Sequence, residues 1–407
     1  MPESAESLRC PGMIDLSGVE MRRLRHVEDC FAATARAWGF EEVRSPLIEH
    51  LHLYTRAGTL SPQLLGRVYS FLDWDGWSGE RVVLRPDSTV AVARLYGERY
   101  AGETKRLFYA QPVLRFATAD ERRESWQAGA EVIGSDAAKT DAELILMGQS
   151  VLERLGLVEA DLYISHSGVL RVLLGRTGWD SAEQSAAYDR ILDGDHSAIS
   201  AMTEALPGIE VGLRLLLESE GSGPDYVTNL EAALLGKVPE MASELGSLRD
   251  TSQTLVAAGA PHKIVSPLAR DFEYYTGIVF RFELHDAVLG GGGRYDNLVE
   301  LVTGRAAPAS GFAFDSEILA GLIDEPALVT PHVAVLASEH TVPQAMRLLR
   351  ALAESGVPAG LNPSSINGLV VNVEASAYRR GNEVMPATDE GVEALVSQLR
   401  QETQVEQ

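Results

Sequence analysis

The stretch RLFYAQPVLRFATADERRESWQAGAEVIG, residues 106–134, decides the fold that this sequence predicts. Its first part, residues 107–114, is an apolar run with aromatic residues and no helical spacing, which predicts a buried strand. A second strand-like run covers residues 126–134. The loop between the two runs carries clustered charges, namely Asp120, Glu121, Arg122, Arg123 and Glu124.

Polar residues alternate along the second run at Gln127, Gly129 and Glu131, so these three positions face one way. Two strands with polar groups on one face, joined by an arginine-bearing loop, predict a pocket floor for a charged small molecule. A surface hairpin with a salt-bridged tip explains the same pattern. The pattern alone leaves both interpretations open.

Composition bounds the class of protein. The chain has 407 residues, enough for two or three domains, and 45% of them are hydrophobic, as in soluble globular proteins. A net charge of −23 disfavours nonspecific attraction to nucleic acid phosphates. Two cysteines without metal-ligand spacing predict neither a disulfide framework nor a metal site. Without a long apolar run or a signal-like N-terminus, we expect a cytoplasmic protein with no membrane contact.

Periodicity predicts an α+β chain in two parts. A helix is expected over residues 19–38, strands over 68–72 and 82–84, and a helix over 88–100 that starts near Ser88 or Thr89. Another helix is expected over 136–155, then a strand over 162–168. Residues 169–258 are rich in leucine and alanine at helical spacing and predict a helical insertion. Further strands are expected over 274–284 and 287–289. A linker near residues 324–331 precedes a small α/β domain, 330–407.

Five motifs in order resemble a known family: LRPDST at residues 84–89, VLRF with RRESWQAGAEVIG at 113–134, ARDFEYYTG at 269–277, GGGGRYD at 290–296 and GFAF at 311–314. They are similar to histidyl-tRNA synthetase and equally to its paralogue, the regulatory subunit of ATP phosphoribosyltransferase. The resemblance implies a class II aminoacyl-tRNA synthetase-like core over residues 1–325, with an antiparallel sheet, flanking helices and a homodimer contact through its N-terminal elements. It also implies that residues 330–407 are a truncated domain similar to the family's anticodon-binding domain.

The resemblance also implies a histidine-binding set, matched by position: Asp87, Gln127, Glu131, Arg270, Tyr274 and Tyr275. The chemistry of these residues agrees with it. An α-ammonium group needs acceptors such as Asp87 and Glu131, and an imidazole needs a donor and an acceptor. For the carboxylate or another anion, the candidates are Arg115, Arg123 and the backbone of the glycine run at Gly291 and Gly292.

Two of these assignments have plain structural alternatives. The tyrosine pair can be a strand pair with one ring in the core. The glycine run can be a hairpin turn. The order of the five motifs favours the ligand pocket over both alternatives.

Departures from the family motifs separate the enzyme from its paralogue. Adenylation of an amino acid needs cations against the phosphates of ATP, where negative charge builds in the transition state. Arg115 is present, but Ala117 stands where motif 2 has glutamate, and Ile318 stands where motif 3 has arginine. Asp87 in place of the synthetase glutamate also resembles the paralogue. We therefore expect that histidine binds and that histidyl-adenylate does not form.

The C-terminal domain supports the same interpretation, because residues 330–407 hold five basic and nine acidic residues and are poorly suited to tRNA. The sequence thus predicts a non-catalytic regulatory subunit of ATP phosphoribosyltransferase in histidine biosynthesis, without cofactor or metal. Its partner would be a short-form catalytic subunit in a hetero-oligomer. The alternatives are a divergent histidyl-tRNA synthetase or synthetase subunit, and a histidine sensor that acts on another partner.

Overall fold

The structure is a computed structural model that describes residues 8–56, 66–74, 79–117, 122–135, 139–268, 274–324, 333–363 and 368–404. The chain divides into two compact units, Met1–Asp324 and Glu325–Gln407. Within the described ranges, no helix is both long and apolar enough to cross a membrane.

The described helices and strands follow the α+β pattern predicted from the sequence. In chain order the helices are α1 Gly18–Ala37, α2 Leu51–Arg56, α3 Ser88–Arg99, α4 Lys139–Arg154, α5 Ser167–Gly175, α6 Ser181–Leu192, α7 His196–Ala205, α8 Glu210–Leu217, α9 Gly223–Leu234, α10 Ala242–Ala257, α11 Asp296–Thr303, α12 Ser316–Leu322, α13 Val342–Glu354 and α14 Asp389–Gln404. The strands are β1 Glu41–Glu42, β2 Ile48–His50, β3 Ser70–Trp74, β4 Gly79–Leu84, β5 Lys105–Leu114, β6 Glu124–Ile133, β7 Asp161–His166, β8 Gly221–Ser222, β9 Lys263–Ile264, β10 Ile278–Leu284, β11 Ala287–Arg294, β12 Ala309–Asp315, β13 Val333–Ala337, β14 Ala359–Leu361, β15 Val370–Val373, β16 Ala377–Arg380 and β17 Glu383–Pro386.

The central sheet of the first unit has the strand order β1-β5-β6-β12-β11-β10-β7-β9-β8. The pairs β1–β5 and β7–β9 are parallel, and the other neighbours in the sheet are antiparallel. The predicted antiparallel sheet with flanking helices is therefore present. The two parallel pairs lie in its outer parts and were not predicted.

The hairpin of β5 and β6 lies inside the sheet because each of its faces meets a separate hydrophobic core. On β5, Phe108 belongs to the core beneath α1, whereas Leu107 and Tyr109 belong to the core around α3 and α11. Strands buried on both faces read as near-continuous apolar runs rather than alternating ones. This double burial explains why the run was recognisable as a strand and why the prediction of a surface hairpin fails.

Helix α1 closes one face of the sheet with an aromatic cluster. The Phe31 ring lies 6.3 Å from that of Phe108, 6.1 Å from Phe312 and 6.4 Å from Phe314, centroid to centroid. Tilted and edge-on rings at such distances add to the energy of simple area burial. Gly39, just beyond the helix, has φ of +81°, a conformation that glycine adopts without strain.

A buried arginine joins the segments beside β5. Arg85 is only 2% exposed, and its guanidinium donates to the backbone carbonyls of Ser45, Pro46 and Pro112. Each carbonyl acceptor satisfies an N–H group that would otherwise be buried without a partner. Arg85 therefore fixes the chain immediately before Pro86 and Asp87, at the point where α3 begins.

A smaller sheet has the strand order β2-β4-β3. Its strands β3 and β4 correspond to the two strands predicted over residues 68–72 and 82–84. Both strands are confirmed with shifted ends. Residues 75–78 between them lie outside the described residues, as do Asp120 and Glu121 of the charged loop.

Between β7 and β9 the chain forms helices α5 to α10, with only the two-residue strand β8 among them. The predicted helical region is confirmed in type, and its first helix starts two residues early, at Ser167. The predicted strand over 162–168 accordingly ends at His166.

Strand β11 extends beyond the predicted strand over 287–289 and includes the glycine run, for which a hairpin turn was the alternative. Gly290 to Gly293 lie within β11 and pair with β10 on one side and β12 on the other, so the run is neither a loop nor a turn. A Cβ atom at Gly292 would overlap the Gly311 carbonyl, and one at Gly291 would lie 2.6 Å from the Phe280 carbonyl. Glycine is required here because the neighbouring strands lie too close for a side chain. The strand predicted from residue 274 begins only at Ile278.

The second unit contains a five-stranded sheet, β14-β13-β15-β16-β17, with its core formed mainly by α13, α14 and the sheet. Four of its arginines are engaged with carboxylates. The ion pairs are Arg347–Asp389, Arg350–Glu354, Arg379–Glu374 and Arg380–Glu402. These four arginines therefore do not form an uncompensated basic face.

Candidate functional site

A cavity of about 310 Å³ opens on the face of the central sheet opposite α1. This volume is at the lower end of the range for small-molecule sites. We call it the sheet cavity, and its wall is formed by Tyr54, Arg67, Val68, Pro86, Asp87, Thr89, Arg115, Gln127, Tyr274, Tyr275, Gly291, Gly292, Tyr295, Gly311, Phe312 and Ala313.

Most of the predicted ligand residues meet in this wall. Asp87, Gln127, Tyr274, Tyr275, Arg115, Gly291 and Gly292 all line the cavity. Glu131 lies behind the wall, and Arg123 is not among the lining residues. Arg270 lies outside the described residues.

Asp87 has two functions in the geometry. Its Oδ1 accepts hydrogen bonds from the backbone N–H groups of Thr89, at 2.9 Å, and Val90, at 3.4 Å, so it is the N-cap of α3. Its Oδ2 lies 4.0 Å from Nη2 of Arg115, which also donates through Nε to the Pro86 carbonyl at 2.8 Å. One carboxylate and one guanidinium are thereby presented side by side to the cavity.

Gln127 lines the cavity and carries a buried polar atom. Its Oε1 is buried and has no hydrogen-bond partner among the described residues. A buried amide oxygen without a partner carries a desolvation cost of about 1–3 kcal/mol, which a donor that reached it would remove. The Gln127 side chain is therefore a candidate for a hydrogen bond with a ligand.

Glu131 is buried beneath the wall, with 1% exposure, and three hydroxyl groups surround it. Thr89 donates to Oε1 at 2.9 Å, Tyr109 donates to Oε1 at 3.1 Å, and Tyr295 donates to Oε2. Burial raises the pKa of Glu131 to about 8, although the hydrogen bonds from Tyr295, Thr89 and Tyr109 act in the opposite direction. The carboxyl group is therefore mostly protonated at neutral pH while the cavity is empty.

Gly311 makes room for the Glu131 carboxyl group. The two residues are directly paired between β12 and β6, so they face the same side of the sheet, and a Cβ atom at Gly311 would overlap Oε2 of Glu131. Because glycine adds no side chain, the carboxyl group lies over the backbone of Gly311, which lines the cavity wall.

Aromatic rings form the opposite wall. Tyr274 stacks on Tyr295 with ring centroids 5.4 Å apart, and meets Tyr275 edge-on at 4.9 Å. Burial raises the pKa values of Tyr274 and Tyr295 well above their ordinary value, so both phenols stay neutral and can donate hydrogen bonds. The interpretation of this pair as a simple strand pair fails, because both residues precede β10.

Arg123 and the residues at the end of β12 belong to other contacts. Arg123 donates to the Ala117 carbonyl at 3.0 Å, and its guanidinium lies 4.8 Å above the Phe116 ring. Asp315 accepts from the backbone amides of Glu317 and Ile318 and so caps α12. Glu317 pairs with Arg122 at 2.6 Å, while Ile318 is 37% exposed.

The chain matches the model of the family described as histidyl-tRNA synthetase over residues 12–319. It is 40% identical to the ATP phosphoribosyltransferase regulatory subunit of Dehalococcoides mccartyi strain 195, across 78% of this chain and 77% of that protein. The chain belongs to the histidyl-tRNA synthetase family, among its ATP phosphoribosyltransferase regulatory subunits.

Other members of this family are more distant. The histidine–tRNA ligase of Metallosphaera sedula is 28% identical across 87% of this chain and 85% of the ligase. A crystal structure described as an ATP phosphoribosyltransferase regulatory subunit/histidyl-tRNA synthetase from Bacillus halodurans C has a TM-score of 0.74 and 24% identity. It covers 90% of this chain and 96% of that chain. This structural likeness confirms the predicted class II synthetase-like fold.

Several residues of the site were not predicted. Thr89 and Tyr295 lie inside motifs quoted for the family, LRPDST and GGGGRYD, yet neither was assigned to the ligand. Tyr109 precedes the polar residue Gln111 on the same face of β5, a weak signal of a polar face. Tyr54 and Arg67 come from segments with no motif, so nothing in the sequence singled them out.

Proposed function

We propose that this chain is a regulatory subunit of an ATP phosphoribosyltransferase and binds free histidine in the sheet cavity. The 40% identity to a protein of that name supports it over the 28% identity to a histidine–tRNA ligase. The catalytic partner would be a short phosphoribosyltransferase subunit without a regulatory domain of its own. In the same proposal, two copies of this chain form a homodimeric core, which assembles with the catalytic subunit into a hetero-oligomer in the cytoplasm.

The single observation that carries the histidine assignment is the buried amide oxygen without a described partner on Gln127, which lines the same cavity as Asp87. An α-ammonium group has three donors and needs acceptors of this kind, of which one is charged. Arg115 is the cation of the described wall nearest to Asp87 and suits the ligand's carboxylate. A zwitterionic amino acid matches this pairing of charges.

The imidazole ring would be placed against the tyrosine wall and over Gly311. The hydroxyls of Tyr274 and Tyr295 are neutral donors or acceptors, and Glu131 lies beside Gly311 on the same face of the sheet as a mostly neutral carboxyl group. An imidazole offers one N–H donor and one ring nitrogen acceptor, so a hydroxyl and a carboxyl group can satisfy both. This arrangement supports histidine over an amino acid with an apolar side chain.

The residues that would activate ATP are missing or already engaged, which supports a subunit that forms no adenylate. Ile318 offers no cation, and the first amides of α12 are capped by the Asp315 carboxylate instead of being open to a phosphate. Ala117 is buried and offers no polar group. The alternative function, that of a histidine–tRNA ligase, is supported by the length of the match to such a ligase, which spans 87% of this chain.

Calorimetric titration of histidine into the full chain, alone and with a catalytic subunit, tests the assignment. We expect Glu131→Ala to weaken binding about 2- to 10-fold, since a hydrogen bond of a neutral carboxyl group contributes about 0.5–1.5 kcal/mol. Glu98→Ala, which removes an exposed glutamate paired with Arg94, serves as the matched control and should bind as the wild type does. Equal binding by Glu131→Ala, or no binding by the wild type in either form, would show that the pocket assignment is wrong.

A further inference from the structure

The backbone of the tyrosine wall is held by the first helix of the helical insertion. The Tyr275 carbonyl accepts two hydrogen bonds from α5, one from the Ser167 hydroxyl at 2.9 Å and one from Nη2 of Arg171 at 2.7 Å. The Ser167 backbone N–H also donates to the Gly277 carbonyl at 2.9 Å. Two carbonyls of the segment that carries Tyr274 and Tyr275 are thus anchored on one helix.

The opposite side of the same segment is anchored on the core. The Thr276 N–H donates to the Arg294 carbonyl at 2.7 Å, and the Thr276 hydroxyl accepts from the Asp296 N–H at 3.0 Å. The Arg294 guanidinium is in turn fixed by the buried carboxylate of Asp141, at 3.0 and 3.1 Å. Tyr274 to Gly277 therefore bridge two bodies: α5 on one side, and β11 with α11 on the other.

The start of α5 is itself rigidly built. His166 is the N-cap, and its Nδ1 accepts from the Gly168 N–H at 3.1 Å, which requires a neutral ring. Burial, with the nearby charges of Arg171 and Arg294, lowers the pKa of His166 to about 4 and keeps the ring neutral. The helix dipole further favours a carbonyl acceptor at this end of α5. A displacement of α5 would therefore be passed to the Tyr275 carbonyl rather than absorbed in a loose helix end.

We propose that Ser167 and Arg171 are positioning residues of the sheet cavity. Both residues hold the Tyr275 carbonyl. The position of the tyrosine wall therefore depends on the position of the helical insertion. The inference rests on the proposed histidine site for its ligand, but its geometry concerns the protein alone. Histidine in the cavity then favours one position of α5. By linkage, a partner that binds one position of the insertion better changes the affinity for histidine by the same factor by which histidine changes the affinity for that partner.

The experiment compares Arg171→Met, which keeps much of the side-chain stem, with Arg171→Lys, which keeps a charged donor. Ser167→Ala is the second positioning variant. Arg176→Met is the matched control, because Arg176 follows the same helix and pairs with Glu240 away from the cavity. Two readouts are recorded: the Kd for histidine, and the hydrogen-exchange rate of the Thr276 amide in the ligand-free protein.

We expect Arg171→Met to raise the Kd about tenfold, as for one lost charged hydrogen bond, and to speed exchange at Thr276. Ser167→Ala should shift both readouts in the same direction by less, and Arg171→Lys should recover most of the loss. Arg176→Met should change neither. Wild-type histidine binding should also slow exchange of the α5 amides.

The proposal is overturned if Arg171→Met and Ser167→Ala leave both the Kd and the Thr276 exchange rate at wild-type values. It is also overturned if Arg176→Met reproduces the effects, since these would then report general loosening of the helix. If the wild type binds no histidine, the proposed function fails separately. The exchange rates then decide alone: faster exchange in Arg171→Met supports the positioning role, and equal rates refute it.

Discussion

Two stretches that face each other across the same pair of strands differ in how their polar groups are used. On β6, Gln127 lines the sheet cavity and has a buried amide oxygen without a described partner. Directly opposite on β12, Asp315 uses its carboxylate to cap α12, and Glu317 is paired with Arg122. The first stretch keeps a buried acceptor without a described partner, whereas the carboxylates of the second stretch are engaged within the protein.

The difference shows how recognition and chemistry can separate within one fold. Binding an amino acid needs acceptors and donors that remain available inside a cavity. Activating it needs cations where phosphate charge develops. The α12 stretch offers an exposed isoleucine and carboxylates, so only the first requirement is met.

The most decisive way to break this comparison is an assay of histidine-dependent ATP–pyrophosphate exchange. We expect exchange at least about 10²–10³-fold below that of a synthetase, because one missing transition-state donor costs that much in rate. Ile318→Arg returns a cation to α12 and should raise any residual rate, while Ile318→Leu should not. Exchange by the wild type at the ordinary rate of a synthetase would contradict the proposed function.

A second test uses the pH dependence of stability to determine the protonation state of Glu131, on the buried side of the cavity. In the unfolded chain Glu131 loses its proton near its ordinary pKa of 4.5, whereas in the folded chain it keeps it to about 8. The folded state therefore binds more protons in this window. The stability contributed by the neutral carboxyl group is full below the lower pKa and is lost as pH rises towards the higher one.

Glu131→Gln cannot ionise, so its free energy of unfolding should rise relative to the wild type across that window. The slope should be on the order of 1.4 kcal/mol per pH unit. Urea unfolding at about pH 5.5, 6.5 and 7.5 measures it. Glu98→Gln, on the surface, should run parallel to the wild type. A constant difference between Glu131→Gln and the wild type would mean that Glu131 is ionised in the folded protein.

The smallest expected effects come from separating the two functions of Asp87. Asp87→Asn keeps an oxygen that can cap α3, so the free energy of unfolding should change by no more than about 0.5 kcal/mol. The affinity for histidine should fall about tenfold, because the charge of the carboxylate is lost. Asp87→Ala should also lose about 0.5–2 kcal/mol of stability. If Asp87→Asn binds histidine like the wild type, the Asp87 carboxylate serves only as a helix cap.

The sequence predicted the features that leave a local pattern. β5 and β6 were recognisable because each face of the hairpin meets a core, and α1 because Leu24, Val27 and Phe31 lie on one buried side. Among the cavity residues, Asp87 and Tyr274 followed from the family motifs, whereas Gln127 followed both from those motifs and from the alternation along β6.

Features that depend on distant packing could not be predicted. The glycine run resembles a turn in sequence, and only the closeness of β10 and β12 explains it as a strand. That the Glu131 carboxyl group occupies the space over Gly311 depends on the register between β6 and β12. The hydrogen bonds from Ser167 and Arg171 to Tyr275 span more than a hundred residues and leave no local signal.

The glycine-rich strand β11 has a consequence for what holds the floor of the cavity in place. Each glycine in a strand gives up more conformational freedom than alanine, at about 0.5–1 kcal/mol, and contributes no side chain to a core. Gly290 to Gly293 therefore have no side chains of their own to stabilise them, and the hydrogen bonds with β10 and β12 on either side hold them. A substitution that loosens β10 or β12 should loosen the cavity floor as well.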